Sequence, residues 1–396
     1  MNDRPVLVIN SGSSSVKYQL VRPSGARLAG GVVERIGEDQ GSWRHAAGPA
    51  SHSGEQLIAD HRSALTLVER LFEEYGPALS TAQVQAVGHR VVHGGARFSE
   101  PTAITDEVLR EVEALSALAP LHNPPGVAGI RAARQLLPDI PHVAVFDTAF
   151  FAGLPEVART YAIPHEISER LQIRRYGFHG TSHAYVSRRC AEELGRDYHA
   201  VNQIVLHLGN GCSASAIRQG VAVETSMGMT PLEGLVMGTR SGDLDPGLPG
   251  FLSRRLDLSL PDVESLLNKR SGLLGLAGVN DFRELEKRRT AGDPAATLAF
   301  AVYVHRIRGY LGAYLIHLGS LDALVFTAGV GENNPALRAA ITAGLEPFGI
   351  ALDSSANEAA TSGARIVSLP TSPTAVLVVP TNEELAIARA TADLVA

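Results

Sequence analysis

Cysteine, basic charge and long apolar runs are all scarce in this sequence, and each shortage excludes a class of protein. The 2 cysteines, Cys190 and Cys212, lie in no CxxC or Cys/His spacing, which excludes a disulfide framework and a zinc site. A formal charge of −6 argues against a nucleic-acid surface or a polybasic membrane patch. No stretch reaches the roughly 18 apolar residues of a membrane span, and the apolar part of MNDRPVLVIN is too short for a signal peptide. We therefore expect a cytoplasmic protein that binds neither nucleic acid nor membrane.

Glycine, by contrast, is abundant, with 39 residues in a chain of 396. A chain of this length exceeds what one hydrophobic core usually serves, so we expect two domains, with a boundary at residues 148–153. Short β-branched runs alternate with amphipathic patterns that begin at Ser, Thr, Asp or Asn, and this alternation predicts an α/β protein. We expect Cys212 to be a small buried residue and not a nucleophile.

The periodicity also predicts the individual elements. The predicted strands are 5–10, 15–21, 84–92, 142–147, 203–208, 213–218, 323–328, 364–369 and 374–379. The predicted helices are 61–76, 105–118, 182–195, 293–319, 334–349 and 381–396. The polar, aperiodic segment 37–54 predicts a hairpin or a surface loop.

One pattern of strand, turn and strand occurs twice in the chain. VLVINSGSSSVKYQL (6–20) and IVLHLGNGCSASAIR (204–218) each join two apolar strands through Asn, Gly and small hydroxyl residues. Such a turn exposes consecutive backbone N–H groups that bind phosphate, although an ordinary strand connection has the same composition. Neither turn matches the Walker lysine pattern or the dinucleotide fingerprint. Two of them, one in each half, indicate a phosphate chain held from both sides.

A third glycine-rich stretch, ALVFTAGVGENNPALR (323–338), predicts a strand, a turn from Gly329 to Asn333 and a helix. Because its glycines carry no side chains, the backbone of this turn could contact a nucleoside directly. A plain strand-to-helix connection would have the same sequence, so both interpretations stay open.

Two arginines are placed among glycines. Arg90 stands in GHRVVHGG, and Arg240 stands in GTRSGDLDPG, where Asp243 and Asp245 follow it. A guanidinium binds carboxylate or phosphate through its planar fork, and the alternative for Arg90 is a surface salt bridge. Two such arginines with several carboxylates match phosphoryl transfer, which needs cations near the transferred group and oxygen ligands for Mg²⁺.

Two further residues stand where catalytic groups are common. Asp147 ends the strand in FDTAFF, where carboxylates of α/β enzymes often act, although a simple cap is the alternative. His179 in YGFHGTSH precedes a glycine and a helix start, which suits donation to a developing anion, whereas a lone histidine is often structural.

Eight stretches together resemble the acetate kinase family and follow that family's order over essentially the whole chain. They are NSGSSSVKYQL, GHRVVHGG, YGFHGTSH, HLGNGCSASAI, TSMGMTPLEGLVMGTRSGDLDPG, NDFREL, FTAGVGENN and PTNEELAIAR. Glu224 departs from the family's usual aspartate and Cys212 from its usual alanine. The resemblance implies the α/β fold of the actin and sugar-kinase (ribonuclease H-like) superfamily, with an active-site cleft between two domains. It also implies a homodimer and Mg²⁺-dependent or Mn²⁺-dependent phosphoryl exchange between ATP and acetate, giving ADP and acetyl phosphate.

The resemblance further assigns domains and residue roles. It implies an N-terminal domain of residues 1–150 plus 384–396, with the first phosphate loop and the acetate side, and a C-terminal domain of residues 151–383, for nucleotide binding and dimerisation. It assigns catalysis to Asp147, His179 and Arg240; acetate binding to Arg90, Val92, Leu121, Phe178 and Pro231; nucleotide binding to Lys17, His207, Leu208, Gly209, Asn210, Gly211, Asp281, Phe282, Arg283, Gly329, Val330, Gly331, Glu332 and Asn333; and the metal to Asn10 and Glu383.

Acetate is already a carboxylate at neutral pH, so the transfer needs no general base. We therefore expect Asp147 to orient a partner rather than accept a proton, and we expect direct in-line transfer without a phosphoenzyme. One alternative is a propionate or other short-chain acyl kinase, because one methylene changes binding by only about 1 to 3 kcal/mol. The other alternative is an ATP-gated actin-like binding protein, which has no need of two glycine-flanked arginines.

Overall fold

The computed structural model describes residues 3–120 and 122–396, and it divides into two compact units. Unit 1 runs to Ala152 and includes Asn382–Ala396, and unit 2 is Gly153–Thr381. The chain passes from unit 1 to unit 2 after residue 152, where the sequence analysis expected the boundary after residue 150. It returns to unit 1 after residue 381, where the expected boundary followed residue 383. In these described ranges no helix has both the length and the apolarity to cross a bilayer.

The strands of the described residues fall into two sheets, one in each unit. Their bounds are β1 (Val6–Ser11), β2 (Ser15–Val21), β3 (Arg27–Glu34), β4 (Gly41–Ala47), β5 (Ala50–Gln56), β6 (Ala86–Val91), β7 (Thr102–Ala103), β8 (His142–Phe146), β9 (Asn202–Leu208), β10 (Cys212–Arg218), β11 (Val221–Thr225), β12 (Ala323–Thr327), β13 (Arg365–Ile366) and β14 (Ala375–Val378).

Helices connect the strands along the same part of the chain. Their bounds are α1 (His61–Tyr75), α2 (Asp106–Ala114), α3 (Asn123–Leu136), α4 (Glu156–Arg159), α5 (His165–Leu171), α6 (Gly180–Glu193), α7 (Leu248–Leu256), α8 (Leu260–Lys269), α9 (Gly272–Ala277), α10 (Phe282–Thr290), α11 (Pro294–Leu318), α12 (Ala328–Asn333), α13 (Pro335–Thr342), α14 (Ser354–Glu358) and α15 (Glu383–Val395).

The two sheets share one arrangement of strands. The order is β5-β4-β3-β2-β1-β6-β8-β7 in unit 1 and β11-β10-β9-β12-β14-β13 in unit 2. In unit 1, β1 is antiparallel to β2 and parallel to β6, and in unit 2 β9 is antiparallel to β10 and parallel to β12. The two glycine-rich hairpins therefore occupy equivalent places, and the predicted α/β class is confirmed.

Close packing of α15 on β6 positions the end of the chain in unit 1. A Cβ on Gly88 would lie 2.5 Å from Oγ1 of Thr391 and 2.8 Å from Cγ2 of Ile387, so only glycine allows this approach. Glu383, the first residue of α15, is thereby fixed on the sheet that also carries β1 and β8.

Several elements differ from the sequence-based assignment. Segment 37–54 contributes the antiparallel pair β4 and β5, so the hairpin interpretation was the correct one. β3 was missed because Gly30 and Gly31 interrupt its apolar pattern; a Cβ on Gly31 would lie 2.1 Å from the Arg44 carbonyl oxygen of the next strand. The single helix predicted over 334–349 is wrong, because the chain leaves α13 before Gly344, whose φ is +71°.

Candidate active site

The charged part of unit 1 centres on an ion pair between neighbouring parallel strands. Arg90 on β6 and Asp147, directly after β8, come together because the register places Val91 opposite Phe146. Nε of Arg90 donates to both carboxylate oxygens at 3.1 Å, and Nη2 donates to Oδ2 at 2.5 Å. Asp147 is 1% exposed, so this is no surface salt bridge. Burial opposes the charge of Arg90, but Asp147 and Glu383 outweigh it and raise the pKa of the guanidinium.

Two further charges stand near this pair in unit 1. Oε2 of Glu383 lies 3.8 Å from Nε of Arg90. Burial raises the pKa of Glu383, while the positive charges of Arg90 and Lys17 act to lower it. Lys17 on β2 is exposed and pairs with Asn10 in the β1–β2 ladder. Asn10, Lys17 and Glu383 thus belong to the unit that holds the Arg90–Asp147 pair.

The residues expected around the acetate methyl group are distributed over both units. Val92 directly follows β6 and is half-buried, whereas Val91 before it belongs to the buried core. In unit 2, Phe178 is buried and Pro231 is half-buried. Leu121 lies outside the described residues.

The second glycine-rich turn connects β9 and β10 in unit 2. The N–H of Gly209 donates to the carbonyl of Gly211 at 3.0 Å, and the N–H of Gly238 donates to the carbonyl of Asn210 at 2.9 Å. A Cβ on Gly238 would lie 2.0 Å from Oδ1 of Asn210, so the loop at 238 packs on the turn because it has no side chain there. The preceding His207 and Leu208 are buried. The accessible part of the turn is therefore Gly209–Gly211.

His179 stands beside this turn, directly before α6. Its φ of 58° lies in the left-handed region, which is uncommon for a residue with a side chain. Nδ1 lies 2.9 Å from Oγ of Ser213, and the ring stacks on that of His207 with centroids 4.3 Å apart. A Cβ on Gly211 would be 3.3 Å from Nε2 of His179 and 3.6 Å from Nη1 of Arg240. The turn, the imidazole and the guanidinium therefore converge on one place in unit 2.

Asp243 holds the loop that carries Arg240. Its Oδ1 accepts from the N–H of Gly234 at 2.7 Å, and its Oδ2 accepts from the hydroxyl of Tyr310 at 2.8 Å. Oδ1 of Asp245 accepts from the backbone N–H two residues later at 2.7 Å. These two carboxylates hold backbone and side chains of the loop, whereas the residues expected to bind the metal, Asn10 and Glu383, lie in unit 1. Within the described residues no three or more His, Cys, Asp or Glu side chains form a metal-binding group.

A cavity of about 660 Å³ opens beside the second turn. It is lined by Gly209, Asn210, Leu273, Asn280, Asp281, Phe282, Arg283, Gly329, Val330, Asn333 and Asn334. Asp281 caps α10 by accepting from the N–H of Arg283 at 2.8 Å, and its Oδ2 accepts from Nη2 of the same arginine at 2.5 Å. The volume lies in the range of ordinary small-molecule sites.

The segment Gly329–Asn333 is part of the helix α12, so the turn predicted there is wrong. Successive residues of a helix face different sides, and Gly331 is buried instead of lining the cavity. Oε1 of Glu332 accepts from the N–H of Thr381 at 3.1 Å, and this side chain lines a different cavity of about 650 Å³. Burial raises the pKa of Glu332.

Both the sequence and the fold of this chain are similar to those of known proteins. The model of the Acetokinase family matches residues 5–389. The chain belongs to the acetokinase family. It is 56% identical to an acetate kinase of Clavibacter michiganensis subsp. michiganensis, over 97% of each chain. It resembles the crystal structure of the Porphyromonas gingivalis acetate kinase with a TM-score of 0.94 and 44% identity, covering 99% of this chain and 100% of that one.

A propionate kinase structure from Francisella tularensis subsp. tularensis is similar as well, with a TM-score of 0.93 and 40% identity. The similarity covers 98% of this chain and 99% of that one. Both the family and the fold class inferred from the sequence are therefore confirmed.

In this member of the acetokinase family, the sequence analysis missed the partners that hold two histidines of the site. Oγ of Ser182 lies 2.8 Å from Nδ1 of His207, and His183 shares Ser213 with His179. The spacing of His179 and His183, one helical turn apart, was a usable signal. The cavity residues Leu273, Asn280 and Asn334 were also missed; Leu273 has no local signal, because a buried leucine lines a site only through its tertiary position.

Proposed function

We propose that this chain is an acetate kinase that catalyses reversible, Mg²⁺-dependent transfer of a phosphoryl group between ATP and acetate. The observation that carries the proposal is the junction of the 660 Å³ cavity with the second turn, where Gly209 and Asn210 line both. A nucleoside in the cavity would have its phosphates beside the backbone N–H groups of Asn210 and Gly211 and the side chains of His179 and Arg240. Kinases need this combination of cavity, backbone donors and cations.

Arg90 is the proposed ligand of the acetate carboxylate. Its Nε and Nη2 donate to Asp147, and among the described residues its Nη1 takes part in no hydrogen bond or ion pair. That nitrogen is available for charge-assisted donation to a second carboxylate. Asp147 has both oxygens engaged by Arg90, so it orients the guanidinium and keeps it charged rather than removing a proton.

The proposed step is a direct in-line displacement. An acetate oxygen forms a bond to the γ-phosphorus while the bond from that phosphorus to the β,γ-bridging oxygen breaks, and ADP leaves with the electron pair. Acetate starts as an anion, so no proton is transferred. His179 and Arg240 donate to the oxygens of the phosphoryl group as it moves, where preorganised donors stabilise the transition state.

The oxygen donors of Asn10 and Glu383 fit Mg²⁺, which prefers hard oxygen ligands and is often bound by one or two protein side chains plus substrate phosphates. Mn²⁺ accepts the same donors. Glu383 is half-buried beside Arg90, and desolvation raises its pKa, so a cation brought with the nucleotide would favour its charged form. When bound, the metal would neutralise charge on the β- and γ-phosphates.

The test is a hydroxylamine trap for acyl phosphate. Purified protein with ATP and Mg²⁺ is offered formate, acetate, propionate and butyrate in turn, and Arg90→Ala serves as the control. We expect acetate to have the largest kcat/KM. A larger value for propionate would make the chain a propionate kinase, like the similar protein from Francisella. ATP-dependent filament assembly with no hydroxamate from any acid would instead favour an actin-like binding protein.

We also propose a homodimer formed through unit 2 and residence in the reducing cytoplasm. Large apolar side chains of unit 2 are exposed, among them Phe251 at 52%, Leu260 at 64% and Ile316 at 83%, which supports a covered face. Both cysteines are free and buried, and burial raises the pKa of the thiols to about 12 for Cys190 and about 11 for Cys212. Sedimentation equilibrium tests the dimer, and a monomer at micromolar concentration would contradict it.

A further inference from the structure

A chain of hydrogen bonds runs from the candidate site into the core of unit 2. Helix α6 begins beside His179 and carries His183 one turn later, while β10 presents Ser213 and Ser215 on one face because they are two residues apart. Oγ of Ser213 lies 2.9 Å from Nδ1 of His179 and 2.7 Å from Nε2 of His183. Oγ of Ser215 lies 2.7 Å from Nδ1 of His183. Imidazoles and hydroxyls therefore alternate in the order His179, Ser213, His183, Ser215, which we call the histidine line.

The three inner residues of the histidine line are fully buried. His183, Ser213 and Ser215 are each 0% exposed. Burial and the nearby His207 hold the pKa of His183 well below its usual range, so this ring is neutral and carries one N–H. A neutral imidazole donates from one nitrogen and accepts at the other.

Counting hydrogens fixes the direction of the whole line. Among the described residues, the Ser215 hydroxyl has no side-chain hydrogen bond other than the one to His183. If Nδ1 of His183 carried the proton, the Ser215 hydrogen would be buried without an acceptor, which costs about 1 to 3 kcal/mol. The favoured state therefore has Ser215 donating to Nδ1 of His183.

The positions of the other hydrogens follow once Ser215 donates to Nδ1 of His183. Nε2–H of His183 donates to Oγ of Ser213, and the single hydroxyl hydrogen of Ser213 donates to Nδ1 of His179. The proton of a neutral His179 then sits on Nε2, the atom 3.3 Å from where a Cβ on Gly211 would be. That nitrogen points to the phosphate turn.

We propose that Ser215, His183 and Ser213 are positioning residues that hold His179 as a neutral imidazole with its proton on Nε2. The inference rests on the proposed function for the identity of the acceptor, a phosphoryl oxygen. A neutral donor keeps its hydrogen as pH rises, whereas an imidazolium would lose one. The ring of His207 stacks on this imidazole, and Nη1 of Arg240 lies 3.6 Å from the place where a Cβ on Gly211 would be, the same place that is 3.3 Å from Nε2 of His179.

The first test reads the tautomer directly and does not depend on activity. Long-range ¹⁵N–¹H spectra of the full-length protein labelled at histidine, with the His179 signals assigned by their loss in His179→Gln, show which ring nitrogen is protonated. We expect the His179 ring at pH 7 to be unprotonated at Nδ1 and protonated at Nε2. A protonated Nδ1, alone or in an imidazolium, would overturn the proposal.

The second test breaks the line at Ser213. Ser213→Ala removes the donor to Nδ1, so the spectrum should lose its single tautomer, and kcat should fall by about 10- to 100-fold, as when other orienting partners are removed. The KM values for ATP and acetate should change by less than about 2-fold, because the residue touches neither. Ser213→Thr, which keeps the hydroxyl, should restore the Nε2–H signal and most of kcat.

Ser187→Ala is the matched control. Ser187 is a buried serine on the same helix, and its hydroxyl contacts Tyr198 instead of the histidine line. A loss of kcat in this variant equal to that in Ser213→Ala would mean that the effect is only structural. If the wild-type protein makes no acyl phosphate but shows the Nε2–H tautomer, the proposed function fails while this assignment stands. If it makes acetyl phosphate with the other tautomer, only this assignment fails.

Discussion

The β1–β2 hairpin of unit 1 and the β9–β10 hairpin of unit 2 hold the same place in their sheets, yet their surroundings differ in charge. Beside the first are Lys17, Arg90, Asp147 and Glu383, which interact as ions. Behind the second is the line of imidazoles and hydroxyls that begins at His179.

The difference between ionic and hydrogen-bonded surroundings indicates how hairpins of one type can bind different groups. Ion pairs in a half-buried site bind charged ligands and respond strongly to the loss of one partner, because the other charge is left uncompensated. Neutral hydrogen-bonded lines cost little to bury when every hydrogen has an acceptor, and they fix where protons sit. The first arrangement suits a carboxylate and a metal, and the second suits donors aimed at a phosphoryl group.

The largest effect is expected from Arg240→Ala, which removes the guanidinium that lies beside the second hairpin and His179. The kcat should fall by about 10³-fold while the KM for ATP changes little, because this cation is needed where charge moves during transfer. Steady-state kinetics check this, with Arg189→Ala, an exposed helix arginine paired to Glu192, as the control. Near-normal turnover in folded Arg240→Ala would remove the residue from the site.

Arg90→Ala should disturb the ionic hairpin in two separable ways. The acetate KM should rise by about 10- to 100-fold, since a hydrogen bond to a charged group contributes about 1.5 to 3 kcal/mol. Unit 1 should lose about 3 to 5 kcal/mol of stability, because the buried carboxylate of Asp147 loses the hydrogen bonds and the positive charge of Arg90. Denaturation followed by the fluorescence of Trp43, the 1 tryptophan of the chain, reports on unit 1.

The double variant Arg90→Ala, Asp147→Asn separates these effects. We expect it to regain most of the stability while the acetate KM stays high. Recovery of both quantities together would show that Arg90 acts on acetate only through the fold.

Acid should destabilise unit 1 through a pair of neutral histidines on the neighbouring strands β6 and β8 of its sheet. Nε2 of His89 lies 2.9 Å from Nδ1 of His142, whose Nε2–H donates to the carbonyl of Leu137 at 3.1 Å. Burial lowers the pKa of both rings, so the folded state stays neutral where the unfolded state binds protons. The free energy of unfolding should therefore fall as pH drops below about 6.5, by up to about 1.4 kcal/mol per pH unit for each ring.

Urea titrations at pH 7, 6 and 5 with Trp43 as the probe measure this slope. His89→Gln should make it shallower. A stability that is constant or rises towards pH 5 would contradict the neutral pair.

The smallest effect is expected from Val92→Ala. This half-buried side chain lies just beyond β6, near Arg90 in sequence, and shortening it makes room for one more methylene, worth about 0.8 kcal/mol. The ratio of propionate to acetate kcat/KM should rise by roughly 3- to 10-fold, with ATP kinetics unchanged. A destabilised enzyme with an unchanged ratio would show that Val92 is a packing residue.

Local pattern predicted much of this molecule. The alternation around β1, β2, β9 and β10 predicted both hairpins, because side-chain period and turn composition are properties of a few adjacent residues. Family motifs then pointed to Arg90, Asp147, His179 and Arg240 as chemistry-bearing residues. The helix α12 escaped prediction because glycines at 329 and 331 are typical of a turn, and burial in unit 2 outweighed that preference.

The sequence by itself determined the two glycine-rich turns, the class of fold and the kinds of side chain available for chemistry. Only the tertiary structure decided which of them meet: Arg90 and Asp147 are 57 residues apart, and His179 reaches Ser213 across 34. It also placed Glu383, which follows the whole of unit 2 in the chain, beside the sheet of unit 1. The reason is that strand order and the packing of helices on sheets are set by burial over the whole chain, whereas period and turn chemistry act over a few residues.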